Sequence, residues 1–329
     1  MPEFSLLLNM KYIRLNSTDP YYNLALEEYL LNNSDDDIFM LWQNAHTVVI
    51  GRNQNVYAEV NLEYAKENNI SVCRRITGGG AVYHDLGNLN YTFITSENKA
   101  KALDYAYFTQ PIIDALSSLG LQCSLSGRND LECEGKKFSG NAQYSSNGRI
   151  LHHGTLLFDA DVTVLSSVLK VDKEKLEYKA VKSHKSRVVN LLSLLKEKIS
   201  INEFIEHIEK YVLENLGAEK IDIEKNNEIT RLYERNRGDD WIYSTKRYLT
   251  DYTLHKRKKY PFGIVDLEMK LAKDIVEDIV ISGDFFGLGD VKELENQLKG
   301  KSRKEIQNID ISQYIDKMTI EEFCELIND

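Results

Sequence analysis

Short apolar runs separated by turn residues recur along the first half of the chain and predict a sheet. The run Leu89–Ile94 alternates apolar and polar residues, which predicts a strand with one buried face. Asn147-Gly148 separates the last two runs and predicts a hairpin, because both residues tolerate positive φ. The predicted strands are Lys11–Leu15, Ile38–Trp42, Thr47–Ile50, Ile70–Cys73, Leu89–Ile94, Gln122–Ser126, Leu131–Glu134, Lys136–Tyr144 and Ile150–Phe158.

Helical periodicity occurs between these runs and after them. Asp19-Pro20 is typical of a helix start, since an N-cap acceptor precedes a proline in the first turn. It predicts a helix over Tyr21–Asn32, in which the Glu27-Glu28 pair faces water. Further helices are predicted over Leu62–Asn69, over Thr109–Leu119 with Pro111 near its first turn, and over Asn202–Leu216.

The last part of the chain predicts a small α+β unit. Its strands, Ile264–Leu271 and Ile275–Ser282, precede helices at Val291–Lys299 and Thr319–Ile327. Trp241–Phe262 carries tyrosines and cations without a clear period and is interpreted as a connector. We therefore expect a large domain over residues 1–245 and a small one over 246–329, with a loose end before Met10, which could itself be the initiator.

Composition narrows the class of protein. The chain has 329 residues, 42% of them apolar and 28% charged, which excludes a disordered polymer. A formal charge of −10 argues against sequence-independent binding of nucleic acid. No apolar run approaches the ~20 residues that cross a bilayer, and no basic leader precedes a signal-like run, so we expect a cytoplasmic protein. The four cysteines show no C-x-x-C spacing and are expected to be reduced thiols without a zinc site.

The stretch with the most informative chemistry is Arg74–Asp85, in which two arginines are followed, after two intervening residues, by three consecutive glycines. Glycine lets backbone N–H groups approach an anion, and arginine adds donors shaped for carboxylate or phosphate. The loop lies between two predicted strands and lacks a Gly-Lys-Ser/Thr ending, so it is neither a Walker loop nor a Rossmann turn. A tight turn beside two solvated arginines remains the alternative.

Three other patches carry candidate chemistry. Asp130 lies in the turn 126–131 and could hold Mg²⁺ against a triphosphate, although an ordinary hairpin turn is the simpler explanation of the segment. Lys136 and Lys137 point to opposite faces of a predicted strand, so at most one of them reaches a pocket. His152-His153 opens an apolar strand, where a histidine pair is more often structural than catalytic.

In this order, the segments resemble the lipoate–protein ligase A family, whose fold is shared with biotin–protein ligases. The resemblance is dense from Tyr12 to about Leu192 and rests on architecture alone beyond it. It implies an α+β fold with a large mixed-sheet catalytic domain and a small C-terminal domain. The segments that carry it are Asn23–Glu28, Thr47–Asn55, Arg74–Asp85, Ser126–Leu131, Lys137–Ala142, His152–Leu156 and Ser186–Leu191.

The resemblance implies an ATP-dependent ligase that scavenges lipoate. Lipoate and ATP, with Mg²⁺, form lipoyl-AMP, and a lysine of an acceptor lipoyl domain then takes the lipoyl group. The implied acceptors are the lipoyl domains of 2-oxoacid dehydrogenase complexes and the H protein of glycine cleavage. Neither nucleic acid nor a membrane is an expected partner.

The resemblance also implies roles for individual residues. Lys137 is the expected catalytic residue, because it bridges the acyl carbonyl and the phosphate. The expected contacts with ATP or lipoyl-AMP are Arg75, Gly80, Ala81, Val82, Tyr83 and Lys137; those with lipoate are Lys137, Gly79 and His153; and Asp130 is the expected metal ligand. The basic stretch His255–Lys259 could attract an acidic acceptor, with a solvated linker as the alternative.

Two other functions remain open at this stage. One is a cysteine-dependent octanoyl or lipoyl transferase of the same fold, for which Cys73 and Cys133 are the nearby thiols. The other is an acyl-binding module without catalysis. The choice between lipoate and octanoate, the oligomeric state and any motion of the C-terminal domain are not determined by the sequence.

Overall fold

The computed structural model describes residues 10–100, 102–170, 188–244 and 252–328. The expected loose end at 1–9 and residues 186–187 of the last matching segment lie outside these ranges. The strands of the larger part are β1 Lys11–Arg14, β2 Ile38–Trp42, β3 Thr47–Ile50, β4 Ser71–Arg74, β5 Val82–His84, β6 Asn88–Ser96, β7 Cys123–Ser126, β8 Asp130–Cys133, β9 Lys136–Ser146, β10 Arg149–Leu157 and β11 Glu219–Lys220. Its helices are α1 Pro20–Asn33, α2 Val56–Glu59, α3 Leu62–Glu67, α4 Tyr105–Ser118, α5 Val162–Val168, α6 Leu191–Leu194, α7 Ile201–Asn215, α8 Asn227–Arg237 and α9 Asp239–Ile242.

An eight-stranded mixed sheet forms the centre of this part, in the order β11-β1-β2-β6-β10-β9-β8-β7. β1 pairs in parallel with β11 and β2, whereas the other pairs are antiparallel. Alternate residues of one strand enter different cores: Phe39 belongs to the same core as Phe108 of α4, and Met40 belongs to the same core as Leu24 of α1. The sheet is therefore covered by helices on both faces, as the alternation of side chains along a strand requires.

Several local predictions are confirmed. The Asp19 carboxylate caps α1 by accepting from the backbone N–H of Tyr21 at 2.9 Å. Asn147 and Gly148 have φ of 52° and 74° and connect β9 to β10. One boundary differs, because α4 begins at Tyr105 under a cap from Asp104, which leaves Pro111 inside the helix instead of in its first turn. The cap and the buried apolar face of α4 outweigh the local cost of the proline.

A second sheet, in the order β4-β3-β5, carries the glycine loop between β4 and β5. β3 pairs in parallel with β4 and antiparallel with β5. The loop is thus suspended between two strands, as predicted, but the second strand is β5, which was not predicted, instead of the expected Leu89–Ile94. This arrangement holds both ends of the loop at fixed positions on one small sheet.

The C-terminal unit consists of strands β12 Leu254–Tyr260, β13 Gly263–Ala272 and β14 Ile275–Gly283 and of helices α10 Val291–Leu298, α11 Arg303–Ile306 and α12 Ile320–Asn328. Its strands form an antiparallel sheet with its own core. The interpretation of the basic stretch as a connector is wrong, because residues 255–259 lie in β12. His255 and Arg257 both pair across the sheet with Asp266 of β13, at 2.5 and 2.6 Å, while Tyr260 enters the core.

The strand β12 was not predicted because basic residues occupy positions where an apolar residue would have indicated a buried strand face. Such charges are common on edge strands, where they discourage pairing with another chain. Attraction of an acidic acceptor by this strand stays a prediction. No helix in the described part of the chain is long and apolar enough to span a bilayer.

Candidate active site

A cavity of about 180 Å³ lies between the glycine loop and the strands of the large sheet. Leu24, Trp42 and Val49 give it an apolar wall, and Lys137 and His153 contribute polar groups. Of the residues predicted for the site, the cavity brings together Arg75, Gly80, Ala81, Val82, Lys137 and His153. Gly79, Tyr83 and Asp130 do not line it.

Lys137 reaches the cavity from the start of β9. The backbone carbonyl of Lys137 accepts from the N–H of Val189 at 2.9 Å, which ties the strand to the segment leading into α6. Its ammonium lies 2.7 Å from Asp130 Oδ1 on the neighbouring strand β8. The adjacent Lys136 is exposed and does not line the cavity, so one lysine of the pair reaches it.

Arg74 has a structural role that the sequence did not reveal. Its buried guanidinium donates to the carbonyl oxygens of Gly51 at 3.0 Å, Gln54 at 2.7 Å and Ile242 at 2.7 Å. All these acceptors are backbone groups, so Arg74 joins β4 to two other segments and is not available to an anion. The resemblance assigned a ligand contact to Arg75 and none to Arg74.

Arg75 holds the glycine loop in place. Its guanidinium donates to the carbonyl oxygens of Gly78 at 2.7 Å and Gly80 at 2.9 Å, and its Nε donates to Thr77 Oγ1 at 2.9 Å. Burial lowers the pKa of Arg75 to about 10, which still leaves the guanidinium protonated at neutral pH. Arg75 therefore brings a fixed positive charge to the cavity while it shapes the loop.

Gly79 and Tyr83 lie near the cavity but face elsewhere. Gly79 has φ of +91°, and a Cβ there would lie 2.8 Å from the ring of Phe286. The Tyr83 hydroxyl lies 2.7 Å from His46 Nδ1, and its ring packs with Val48 on the opposite face of β5. This follows from alternation, because the flanking residues of β5 line the cavity. Ligand contacts by Gly79 and Tyr83 stay predictions.

Glu27 is a site feature that sequence reasoning missed. The prediction that Glu27 and Glu28 face water is wrong for Glu27, which is 1% exposed and lies within hydrogen-bonding distance of Thr92 and His153. Glu28 instead pairs with Arg235 of α8. The available signal was spacing, since Glu27 lies three residues from the buried Leu24 and Leu30 on the same face of α1.

The C-terminal unit closes one side of the cavity with Phe286. The backbone N–H of Gly79 donates to the carbonyl of Phe285 at 3.2 Å, and Arg128 stacks on the Phe286 ring with its guanidinium carbon 4.1 Å from the ring centre. Within the described ranges, ion pairs join the units: Arg52 pairs with Asp290 at 2.9 Å and Arg128 pairs with Asp316 at 3.2 Å. The predicted accessory domain thus contributes a wall to the site.

Neither thiol proposed for acyl transfer lines the cavity. Cys73 and Cys133 are buried, and burial raises the pKa of Cys73 far above the ordinary value of a thiol. A thiol of this kind is a poor nucleophile at neutral pH.

Among the described residues, no cluster of three or more His, Cys, Asp or Glu side chains could hold a metal ion.

Known proteins with similar sequences and structures agree with this geometry. Residues 19–213 match the lipoyl protein ligase A/B catalytic domain, and residues 250–327 match the bacterial lipoate protein ligase C-terminus. The lipoate–protein ligase LplJ of Bacillus subtilis is 40% identical, with 95% of this chain and 98% of LplJ covered.

Solved structures give the same result. The crystal structure of P. falciparum LipL1 in complex with lipoate has a TM-score of 0.78 at 25% identity and covers 97% of this chain and 99% of LipL1. The bipartite lipoate–protein ligase of Thermoplasma acidophilum, analysed with its E2 lipoyl domain, has a TM-score of 0.64 at 27% identity, with coverage of 75% and 100%. Lipoate–protein ligase A bound with ATP has a TM-score of 0.59 at 25% identity, with coverage of 72% and 99%.

Proposed function

The chain belongs to the lipoate–protein ligase family, and from this premise we propose that its cavity is where lipoate is activated with ATP for transfer to a lysine. In the first step a carboxylate oxygen of lipoate attacks the α-phosphorus of ATP, the bond to the β-phosphate oxygen breaks, and pyrophosphate leaves. In the second step the acceptor amine attacks the acyl carbonyl of lipoyl-AMP. AMP then leaves, and the nitrogen gives up a proton as the amide forms.

The position of Lys137 is the observation that carries this proposal, because its side chain lines a cavity formed by an apolar wall and the glycine loop. The first step brings two anions together, which a fixed cation at their junction makes possible. The same ammonium stabilises the charge that develops during both transfers. A compact, rotatable ammonium suits two successive geometries better than a planar guanidinium does.

We assign the acyl chain of lipoate to the apolar wall of Leu24, Trp42 and Val49. Burial of each methylene contributes about 0.8 kcal/mol, so a short hydrocarbon chain gains useful affinity there. The carboxylate then extends toward Lys137. His153 lines the same cavity and remains our candidate for a further lipoate contact.

We assign the nucleotide to the side formed by Gly80, Ala81 and Val82. Arg75 supports that side by fixing the loop carbonyls, and its charge favours a bound phosphate. The cavity is smaller than the roughly 300–1,000 Å³ typical of ligand pockets. We propose that the wall formed by Phe286 moves when both substrates enter.

Mg²⁺ fits this site as a companion of ATP. Magnesium usually keeps several waters and is held by one or two carboxylates together with substrate phosphates. Asp130, next to Lys137, offers one carboxylate of this kind, and a complete protein cage is not needed. When bound, the ion neutralises phosphate charge.

We propose lipoyl domains as the acceptors, including those of 2-oxoacid dehydrogenase complexes and the glycine-cleavage H protein. The family membership and the T. acidophilum ligase, analysed with its E2 lipoyl domain, support this choice.

From the sequence we propose that the reaction takes place in the cytoplasm. We also propose that the chain consists of a catalytic domain at 1–245 and an accessory domain at 246–329.

The proposed function is tested by incubating the protein with lipoate, ATP, Mg²⁺ and an unmodified lipoyl domain. We expect pyrophosphate release and a lipoyl mass increase on one acceptor lysine, both dependent on ATP. A variant with all four cysteines replaced by alanine should retain the reaction if it remains folded. Acceptor modification from an acyl-carrier thioester without ATP, but not from free lipoate with ATP, would favour acyl transfer through a cysteine thioester instead, as would loss of the reaction in a folded cysteine-free variant.

A further inference from the structure

A single buried carboxylate connects two walls of the cavity. Glu27 lies on α1, is 1% exposed and does not itself line the cavity. Its Oε1 accepts from Thr92 Oγ1 at 2.5 Å, and its two carboxylate oxygens lie 3.1 and 3.2 Å from His153 Nδ1. Each of these neighbours begins a chain of hydrogen bonds that ends at a different part of the site.

The first chain runs from Glu27 to the glycine loop. His153 Nε2 lies 2.9 Å from Thr77 Oγ1, which also accepts from Arg75 Nε at 2.9 Å. A carboxylate only accepts and a guanidinium only donates, so His153 donates from Nδ1 to Glu27 and Arg75 donates to Thr77. His153 Nε2 and Thr77 Oγ1 complete the chain by sharing one hydrogen, which lies on Thr77 when the imidazole is neutral. Arg75 in turn holds the loop carbonyls, so the chain ends on the loop.

The second chain runs from Glu27 to the apolar wall. The indole Nε1 of Trp42 donates to Thr92 Oγ1 at 2.9 Å, and the Thr92 hydroxyl donates to Glu27. The indole N–H is a donor only, so this direction is also fixed. The orientation of the Trp42 ring in the cavity thus depends on the same carboxylate as the glycine loop does.

We propose that Glu27 is a positioning residue that sets the apolar wall and the nucleotide loop relative to each other. This inference rests on the proposed function, because it assigns lipoate to the Trp42 wall and ATP to the loop. Glu27 touches neither substrate and acts through Thr92 on one side and through His153 and Thr77 on the other. It therefore aligns the two reacting groups, for which small misplacements cost large factors in rate.

Glutamine at position 27 keeps the shape of the side chain but replaces one acceptor oxygen by an N–H donor. With the amide oxygen in the place of Oε1, glutamine still accepts from Thr92 and His153, but it loses the negative charge and puts an N–H group 3.2 Å from His153 Nδ1, where the two donors repel each other. We expect Glu27→Gln to raise the KM for both lipoate and ATP at least fivefold in pyrophosphate release. The matched control is Glu28→Gln on the same helix, which should leave both KM values unchanged.

Variants of the two threonines separate the chains. Thr77→Val should raise the KM for ATP at least fivefold and leave the KM for lipoate unchanged, whereas Thr92→Val should do the reverse. Thr77→Ser and Thr92→Ser restore the hydroxyls and should restore the wild-type KM. Combining Glu27→Gln with Thr77→Val should raise the KM for ATP no further than the larger single effect, because both changes break one chain.

The outcomes distinguish this inference from the proposed function. If the wild-type protein releases no pyrophosphate from lipoate and ATP, the proposed function fails. If the wild-type protein is active and folded Glu27→Gln has unchanged KM values, only the positioning role fails. Equal effects of Thr77→Val and Thr92→Val on both substrates would also overturn it, since they indicate general loosening. The threonine variants carry the test should Glu27→Gln not fold.

Discussion

The ammonium of Lys137 lies 2.7 Å from Oδ1 of Asp130, and the two side chains are 38% and 36% exposed. An ion pair with this exposure contributes roughly 0–1 kcal/mol, because water screens both charges. The ion pair therefore orients the Lys137 side chain but stabilises that orientation only weakly. A phosphate or carboxylate of comparable charge can replace Asp130 as the partner of the ammonium, which leaves the Asp130 carboxylate free for a metal ion.

Replacement of Asp130 by asparagine tests its second role. We expect Asp130→Asn to change the free energy of unfolding by less than about 1 kcal/mol, since the ion pair is exposed. If the carboxylate also binds the Mg²⁺ that accompanies ATP, the variant needs more Mg²⁺ for half-maximal pyrophosphate release. Urea unfolding and a Mg²⁺ titration measure the two effects. An unchanged Mg²⁺ requirement would restrict Asp130 to pairing with Lys137.

Substitution by alanine should destabilise the protein at Gly79 but not at the neighbouring Gly80. Gly79→Ala places a Cβ 2.8 Å from the Phe286 ring on a backbone with φ of +91°. Left-handed backbone alone costs about 1–2 kcal/mol for a residue with a Cβ, so we expect at least this loss in the free energy of unfolding. At Gly80 a Cβ meets nothing within 4 Å, and Gly80→Ala should be nearly neutral for stability. Equal losses for the two variants would contradict this explanation.

Buried histidines should make the fold sensitive to acid. Burial, followed by the charge of the nearby Arg75, lowers the pKa of His84 to about 3, and burial also lowers the pKa of His152 well below its ordinary value. Between the unfolded pKa near 6.5 and these lower values, the unfolded chain binds protons that the folded chain does not. Stability is therefore present above about pH 6.5 and falls with decreasing pH, by up to about 1.4 kcal/mol per pH unit for each histidine.

Urea unfolding of wild-type protein and His84→Gln between pH 4.5 and 7 checks this prediction. The variant is expected to be less stable at pH 7, because it loses the hydrogen bond with Asn44. The informative quantity is the slope of stability against pH, which should be shallower than in the wild type. Parallel slopes would mean that His84 titrates alike in the folded and unfolded chain.

The sequence predicted the elements that local patterns specify. The strands of the central sheet other than β11, the Asn147-Gly148 hairpin and the cap at Asp19 were predicted, because alternation, turn chemistry and capping act over a few residues. Strand alternation predicted that at most one of Lys136 and Lys137 reaches a pocket. The resemblance to lipoate–protein ligases, which rests on the order of the segments, selected Lys137.

What the sequence did not predict depends on contacts between distant segments. Glu27 was assigned to water because acidic residues are usually exposed, but His153 and Thr92, distant in sequence, compensate its burial. The structural role of Arg74 was not predicted, because the carbonyl oxygens that accept from it belong to distant segments. β12 was interpreted as a connector because Asp266, which pairs with His255 and Arg257, lies on another strand.

The most direct test is the rate of lipoyl-AMP formation in a single turnover by Lys137→Ala, with Lys136→Ala as the control. Lys136 is exposed and does not line the cavity, so its variant should match the wild-type rate. Loss of the Lys137 ammonium removes the charge at the junction of the two anions, and we expect the rate to fall by roughly 10²–10³. Lys137→Arg should also be slow. A wild-type rate in folded Lys137→Ala would contradict the central claim that this ammonium brings the two reactants together.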